Sequence, residues 1–433
     1  MPPTPAPNSS KPIPIEYSKA VLDNGLTLVS ERHPFMRSVS IGVWVRVGST
    51  WESVALNGIS HFIEHMVFKG TQTRTPLQIA TCLESVGGDL NAFTDREFTC
   101  YHASVLPEHL ERAVDILSDL VLHPTFSPKE LDRERKVLLQ ELSMSEENPE
   151  EWISDQFFKT VYRDEPLGQP VIGTKKNIQK ISRTQLVRFF EEHYRPDNMV
   201  VSVAGNVNAE RVKDLCEKFF VFPSSQRTLP LKRPISKYRP RKKSIAAPST
   251  EQLHLMLGFP GVGFKDSRRF EALLTSFFLG GGMSSRLFQE VREIAALAYS
   301  VDCECVPFTD TGLVLVYVGM SSRSLKPCLE IISRELKKLA EVPLRNEDLD
   351  MVKGQLTGAI LLSSDHMEVR QESLGRNELV FGRYISVEEV IEEIRNVTPE
   401  RVQKFAADTF QSGNESVVVL SRKPMKAAGL RIL

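Results

Sequence analysis

The 433-residue sequence predicts an α+β protein made of two homologous α/β-sandwich domains of about 200 residues each, joined by a linker. Three observations carry this. The chain is too long for one ordinary domain and comfortable for two. The order of strands and helices in its first half recurs in the second. Between the halves, residues 223–250 hold Pro223, Pro230, Pro234, Pro240 and Pro248 among many Lys and Arg, the pattern of a solvated linker.

The first domain, residues 15–222, opens on a hairpin signal at 21–29, where Asn24-Gly25 suits a two-residue type I′ turn. A strand at 40–47 follows, then helices near 57–69 and 76–86, two strands within 89–105 and a helix over 107–122. A long helix starts near residue 128, more helices run to about 193, and a strand at 199–203 closes the domain. The second domain, residues 251–433, starts with a strand at 253–258 and repeats the order helix, Gly-rich turn, helix, long strands, helix, helix. Glu130-Leu131-Asp132 ahead of Leu138 parallels Asp348-Leu349-Asp350 ahead of Leu356, each near the start of a long helix, which points to an internal duplication.

Composition bounds the function. Apolar residues make up 41% and charged residues 25%, the balance of a globular protein with sizeable cores. The formal net charge of −1 gives no field that would draw nucleic acid or an anionic membrane. Cys82, Cys100, Cys216, Cys303, Cys305 and Cys328 are scattered without a C-x-x-C pair and read as reduced, mostly buried thiols of a cytoplasmic protein. Residues 1–14, rich in Pro and Ser, read as a disordered tail and resemble neither a secretory signal nor a mitochondrial presequence. No run of about 18 apolar residues exists to span a membrane.

The chemistry concentrates at Gly58-Ile59-Ser60-His61-Phe62-Ile63-Glu64-His65-Met66-Val67-Phe68-Lys69-Gly70. Asn57 can cap this helix, and Gly70 suits its C-terminal end. Apolar residues surround it, so it is buried, yet His61, Glu64 and His65 share one face at i, i+3 and i+4. Two imidazoles and a carboxylate in a core need a partner, and a divalent metal would satisfy them. Two His one turn apart can hold one Zn²⁺, and the carboxylate between them can reach a water on it. Ser127-Pro128-Lys129-Glu130 reads as a capping box with Pro at the first helical position. On the helix it starts, Glu134 and Glu141 fall in the apolar sector with Leu131, Val137, Leu138, Leu142 and Met144. One of the two completes a His₂Glu site; the other can bond a ligand histidine from behind.

With these residues the chain resembles the pitrilysin-like inverzincin metallopeptidases, whose H-x-x-E-H inverts the thermolysin motif. The branch it looks most like is the bacterial relatives of the mitochondrial processing peptidase β subunit. The resemblance covers nearly the whole chain after residue 15. Residues 61–71 and 134–141 match the family's motif segments, which implies His61, His65 and Glu141 as ligands of one zinc ion per chain, Glu64 as the catalytic base and Glu134 as an accessory catalytic glutamate. Asn91, Ala92 and Phe93 look like the family's substrate-pairing strand. In the second half, the segment from Gly280-Gly281-Gly282 to Tyr299 matches too, which implies that Arg292 and Tyr299 contact substrate. Where the family often has a basic residue and a glycine between them, this chain has Ile294-Ala295-Ala296. The second half has no H-x-x-E-H, and Ala359 stands opposite Glu141.

The implied activity is that of a zinc metalloendopeptidase cutting peptides or unfolded segments. Larger family members hold four such domains in one chain, so two domains imply a homodimer, or a heterodimer with a related chain. Arg292 and Tyr299 would then serve the partner's site. The competing expectation is a non-catalytic or partner-dependent subunit of processing-peptidase or respiratory-core type.

Overall fold

Runs rich in Val and Ile pair into sheets, and amphipathic helices cover them. The structure, a computed structural model, describes residues 15–222, 233, 235–248 and 250–425. The tail expected over 1–14 lies outside the described residues. In the first half, β1 (Glu16–Val21), β2 (Thr27–Arg32) and β3 (Val39–Val45) precede α1 (Ile59–Val67) and α2 (Pro76–Glu84). Then come β4 (Asp89–Thr94), β5 (Thr99–Val105), α3 (Leu110–Leu122), α4 (Pro128–Glu147), α5 (Pro149–Val161), α6 (Lys175–Lys180), α7 (Arg183–His193), β6 (Met199–Gly205) and α8 (Ala209–Phe219). The second half holds β7 (Lys242–Ala246), β8 (Leu253–Gly261), α9 (Arg269–Gly280), a π-helix (Phe288–Ile294), β9 (Ala298–Pro307) and β10 (Gly312–Met320). It ends with α10 (Leu325–Glu341), α11 (Asn346–Ser364), α12 (Met367–Phe381), α13 (Val387–Arg395), α14 (Pro399–Thr409) and β11 (Ser416–Ser421).

The first sheet runs β1-β2-β6-β3-β5-β4 and the second β7-β11-β8-β10-β9. The second order is the first without β1. In each sheet the early strand pairs in parallel with the closing one, β2 with β6 and β7 with β11. Pro128 and Asn346 open α4 and α11 at equivalent places, and the same offset carries Glu141 to Ala359. The chain is thus two mixed α/β units with one shared topology.

The two units exchange a helix. α5 packs against β8 and β11, where Ile153 and Phe157 join Met256, Leu315 and Val418 in a buried cluster. Reciprocally, α12 lies on β2, β3 and β6, with Leu374 in a cluster around Trp44. Charged groups cross the same seam. Buried Arg370 of α12 pairs with Glu31 of β2, which is 0% exposed. Glu97 accepts from Thr309 N at 2.9 Å and pairs with Arg233 at 2.6 Å.

Four local expectations differ from the structure. The 21–29 hairpin turns through a longer loop: Gly25 N donates to Leu22 O and Leu22 N to Leu26 O, with Gly25 alone left-handed at φ 92°. That is a turn followed by a left-handed glycine, not a two-residue I′ turn. The solvated linker expected over 223–250 is ordered at its end: residues 242–246 form β7, and half-buried Arg233 pairs with Glu97 and Asp310. Lys stems on an edge strand read as solvated in sequence, although they can lie along a sheet. Ser127 forms no side-chain cap and Glu130 pairs with Arg133, so Pro128 is what marks the start of α4. Val137 and Met144 are 45% and 63% exposed, since the buried stripe of α4 is the narrower set Leu131, Glu134, Leu138 and Leu142.

Candidate metal centre

One side of α1, formed by Ile59, Phe62, Ile63, Met66 and Val67, is buried in the first core. The helical period therefore turns His61, Glu64 and His65 together to the other side. α4 packs on α1 and brings Glu134 and Glu141 to the same place, two turns apart. His61 Nε2 lies 3.8 Å from Glu141 Oε1, and His65 Nε2 lies 3.5 Å from Glu141 Oε2. One ligand atom from each of His61, His65 and Glu141 falls within 4.8 Å of the others, and among the described residues this is the one such group.

The donor set fits a divalent ion. His65 Nδ1 sits 3.2 Å from Glu134 Oε2, and the other Glu134 oxygen pairs with Lys69 Nζ at 3.1 Å. Glu134, 5% exposed, is thereby neutralised on one oxygen and accepts from the imidazole on the other. With its proton on Nδ1, His65 presents a bare Nε2 towards Glu141. Burial, and then the charge of His65, lowers the His61 imidazole to about 3. It is neutral, the form that offers a lone pair to a metal.

Glu64 is poised differently. Burial raises its carboxyl, the hydrogen bond from Thr94 and the charge of His65 lower it, and the charge of Glu141 raises it again, for a net rise. Thr94 Oγ1 donates to Glu64 Oε2 at 2.6 Å. Thr94 Oγ1 also lies 3.3 Å from Thr99 Oγ1, which donates to Val47 O at 2.8 Å, just past the end of β3. Thr94→Val should raise the Glu64 carboxyl further and Thr94→Ser should leave it where it is, read by carboxyl titration of labelled protein; equal titration in all three would deny Thr94 a part in holding Glu64.

β4 is the edge strand of the first sheet and lies beside this cluster. A cleft of about 1110 Å³ opens there, lined by His61, Glu64, Glu141 and 92–94 on one side. Gly280–Gly282, Asp302, Glu304 and Tyr317 line it from the second half. Glu150, Glu151 and Asp155 complete an acidic rim, and no Lys or Arg stands among the described lining residues. Burial, and then the charges of Asp302 and Glu150, raise the Glu304 carboxyl.

The structure brings His61, Glu64, His65, Glu134 and Glu141 together, with Ala92 and Phe93 at the same cleft. The Phe93 ring itself packs edge-on against Trp44. Asn91 is exposed and bonds its own neighbour, Ala92 N. Arg292 and Tyr299 are not at this cleft. Arg292 stacks over Phe288 in the π-helix, and Tyr299 is 68% exposed on β9, the edge strand of the second sheet. Between them Ala296 adopts φ 51°, the left-handed conformation that a glycine takes at least cost. Sequence reasoning placed Thr94 on the substrate strand but missed its bond to Glu64, although period two along β4 places it on the face of Ala92. It also missed Lys69, Glu52 and the acidic rim, whose members are far apart in the chain. Asn57 is not the cap of α1: its side chain donates to Glu52 and to Pro170 O.

Comparison with known proteins gives the family and the fold. The family model described as insulinase (peptidase family M16) matches residues 27–175, and the model described as peptidase M16 inactive domain matches residues 180–356. An uncharacterized zinc protease of Bacillus subtilis is 37% identical over 389 residues, covering 89% of this chain and 94% of the relative. One of Rickettsia bellii is 35% identical over 408 residues, covering 93% and 97%. Among solved structures, a protease from Helicobacter pylori superposes with a TM-score of 0.87 at 21% identity, covering 94% of this chain and 99% of that one. A peptidase M16 inactive domain from Pseudomonas fluorescens gives 0.84 at 20% identity, covering 94% and 98%. These two structures share the fold.

Proposed function

The chain belongs to peptidase family M16, and we propose that it is a zinc-dependent endopeptidase hydrolysing peptides or unfolded protein segments. The observation that carries this reading is the convergence of His61, His65 and Glu141 beside a half-buried Glu64 at the edge of an open cleft.

In this reading the three ligands hold one zinc ion, which supplies Lewis acidity to a scissile carbonyl and a lowered pKa to a water. Glu64 acts as general base: it takes the proton of the attacking water and passes it to the leaving amine. Thr94 keeps that carboxylate aimed, and Glu134 holds the His65 tautomer. The outer edge of β4 offers unpaired backbone groups, so an extended peptide can add there as a strand. A cleft of this size admits an extended segment. Its acidic rim favours Lys and Arg near the scissile bond. Arg292 and Tyr299, away from this cleft, support assembly with a second chain whose centre they would serve. Sedimentation tests this, and a fully active monomer would refute it.

The deciding experiment is cleavage of a quenched fluorescent peptide library with and without a chelator. Chelator-sensitive cleavage that zinc restores is expected. Peptides with Lys or Arg beside the cut should show about tenfold higher kcat/KM than acidic ones, less so at high salt. Cleavage indifferent to the chelator would end the zinc reading.

A further inference from the structure

The metal-bearing helix begins in an unusual way. Its cap position, Gly58, is left-handed at φ 96° and carries no side chain to bond the free N–H groups of the first turn. A carboxylate from upstream does this instead. Glu52 Oε2 accepts from Gly58 N at 2.7 Å and from Asn57 Nδ2 at 2.9 Å, while Oε1 accepts from Ser60 N at 2.8 Å. Glu52 is 6% exposed, so a buried carboxyl group stands against the positive end of a helix. Burial alone raises its carboxyl, to about 7, against the pull of these bonds.

The clamp is tied down on its far side. Asn57 also donates to Pro170 O at 2.9 Å, Gln169 Nε2 to Glu52 O at 3.1 Å, and Asn177 Nδ2 to Val54 O at 2.8 Å. Gly58 lies so close to Gly173 that a Cβ on it would come within 2.8 Å of Gly173 Cα. The first turn of α1 is thus held between a carboxylate and a backbone wall. His61 follows Ser60 directly, and Glu64 and His65 ride on the same rigid helix, so any slip of the first turn moves all three.

We propose that Glu52 is a positioning residue for the metal centre: its carboxylate fixes the start of α1 and thereby sets where His61, Glu64 and His65 stand relative to Glu141. A buried carboxylate that only stabilised the fold would be replaceable by its neutral isostere without effect on the site. A positioning carboxylate is not, because the amide of Gln turns a donor towards one of the backbone N–H groups.

The test is Glu52→Gln in the full chain. Zinc affinity, from competition with a fluorescent chelator, should weaken about tenfold. For a short peptide, kcat should fall about tenfold or more with KM within about twofold, since β4 is untouched. Amide exchange over 58–62 should accelerate while exchange in β3 and β6 stays unchanged. Wild-type zinc affinity, kcat and exchange together would overturn the proposal. So would a loss that appears equally in every core strand, the sign of a merely structural role. If Glu52→Gln does not fold, Glu52→Asp replaces it, being one methylene too short to reach both N–H groups. Wild-type zinc affinity and exchange in that variant would likewise overturn the idea. Only the kinetic arm rests on the peptidase reading. Should the native chain cleave nothing, that reading fails while exchange and zinc binding still decide the clamp.

Discussion

Glu64→Gln is expected to lower kcat about a thousandfold while the protein still binds one zinc ion per chain. Gln keeps the shape and still accepts from Thr94 Oγ1, now 2.6 Å from the carboxylate, so the helix and the cleft are unchanged. What Gln lacks is the ability to take a proton. The metal remains because Glu64 stands outside the ligand group of His61, His65 and Glu141. His61→Ala makes the contrast, since removing a ligand should release metal and activity together. Zinc analysis of each purified variant beside its rate on a quenched peptide separates the two. Substantial turnover by Glu64→Gln would remove Glu64 from the role of base and leave the metal site standing.

The second large effect concerns stability. Arg370→Met should destabilise the folded chain by about 3–5 kcal/mol near neutral pH, because it strands Glu31 in the seam between the units. Burial by itself raises the Glu31 carboxyl. The bonds from His33, Arg370 and Tyr384, with the Arg370 charge, outweigh it and hold it at about 2 against an ordinary 4.5. Tyr384 donates to it at 2.6 Å and Arg370 on two sides. A carboxylate whose folded pKa is depressed contributes stability above its unfolded value and loses it as pH falls towards the folded value. The gap between 4.5 and about 2 corresponds to about 3 kcal/mol, present above pH 4.5 and gone near pH 2. The difference between wild type and Arg370→Met should therefore be largest at pH 7 and shrink towards pH 3. Denaturant unfolding of both chains over that range reads it, with chelator present so that metal release affects neither. Glu31→Gln combined with Arg370→Met should recover much of the loss, since no charge is then left unpaired. A difference independent of pH would show that the pair is not what holds the seam.

That seam marks where sequence reading stops. The period of 57–69 and the spacing of His61, Glu64 and His65 were legible because they depend on the geometry of one helix. So were Glu134 and Glu141, two turns apart on one face of another helix, although only Glu134 is buried and Glu141 stays part-exposed at the cleft. The duplication was legible for the same local reason, as Glu130-Leu131-Asp132 and Asp348-Leu349-Asp350 stand at matching places in two long helices. None of this required knowing which element meets which.

Partners across the chain were another matter. The apolar faces of α5 and α12 are visible in the letters, but hydrophobicity carries no address. That each covers the other unit's sheet follows only from the packed whole. The Pro-rich stretch read as solvated because proline and lysine are poor in sheets on average, while β11 supplies a parallel neighbour that turns residues 242–246 into β7. Thr94 reaches Glu64 across 30 residues, and the acidic rim joins Glu150 to Asp302 and Glu304. Glu52 is close to α1 in the chain, yet a glutamate before a glycine carries no mark of the buried clamp it forms. The sequence by itself determined the shared face of His61, Glu64 and His65 and the repeated α/β unit, because both are set by short-range spacing. Tertiary structure alone decided how the ligands are held and what lines the cleft, because those contacts join groups whose meeting depends on every element between them.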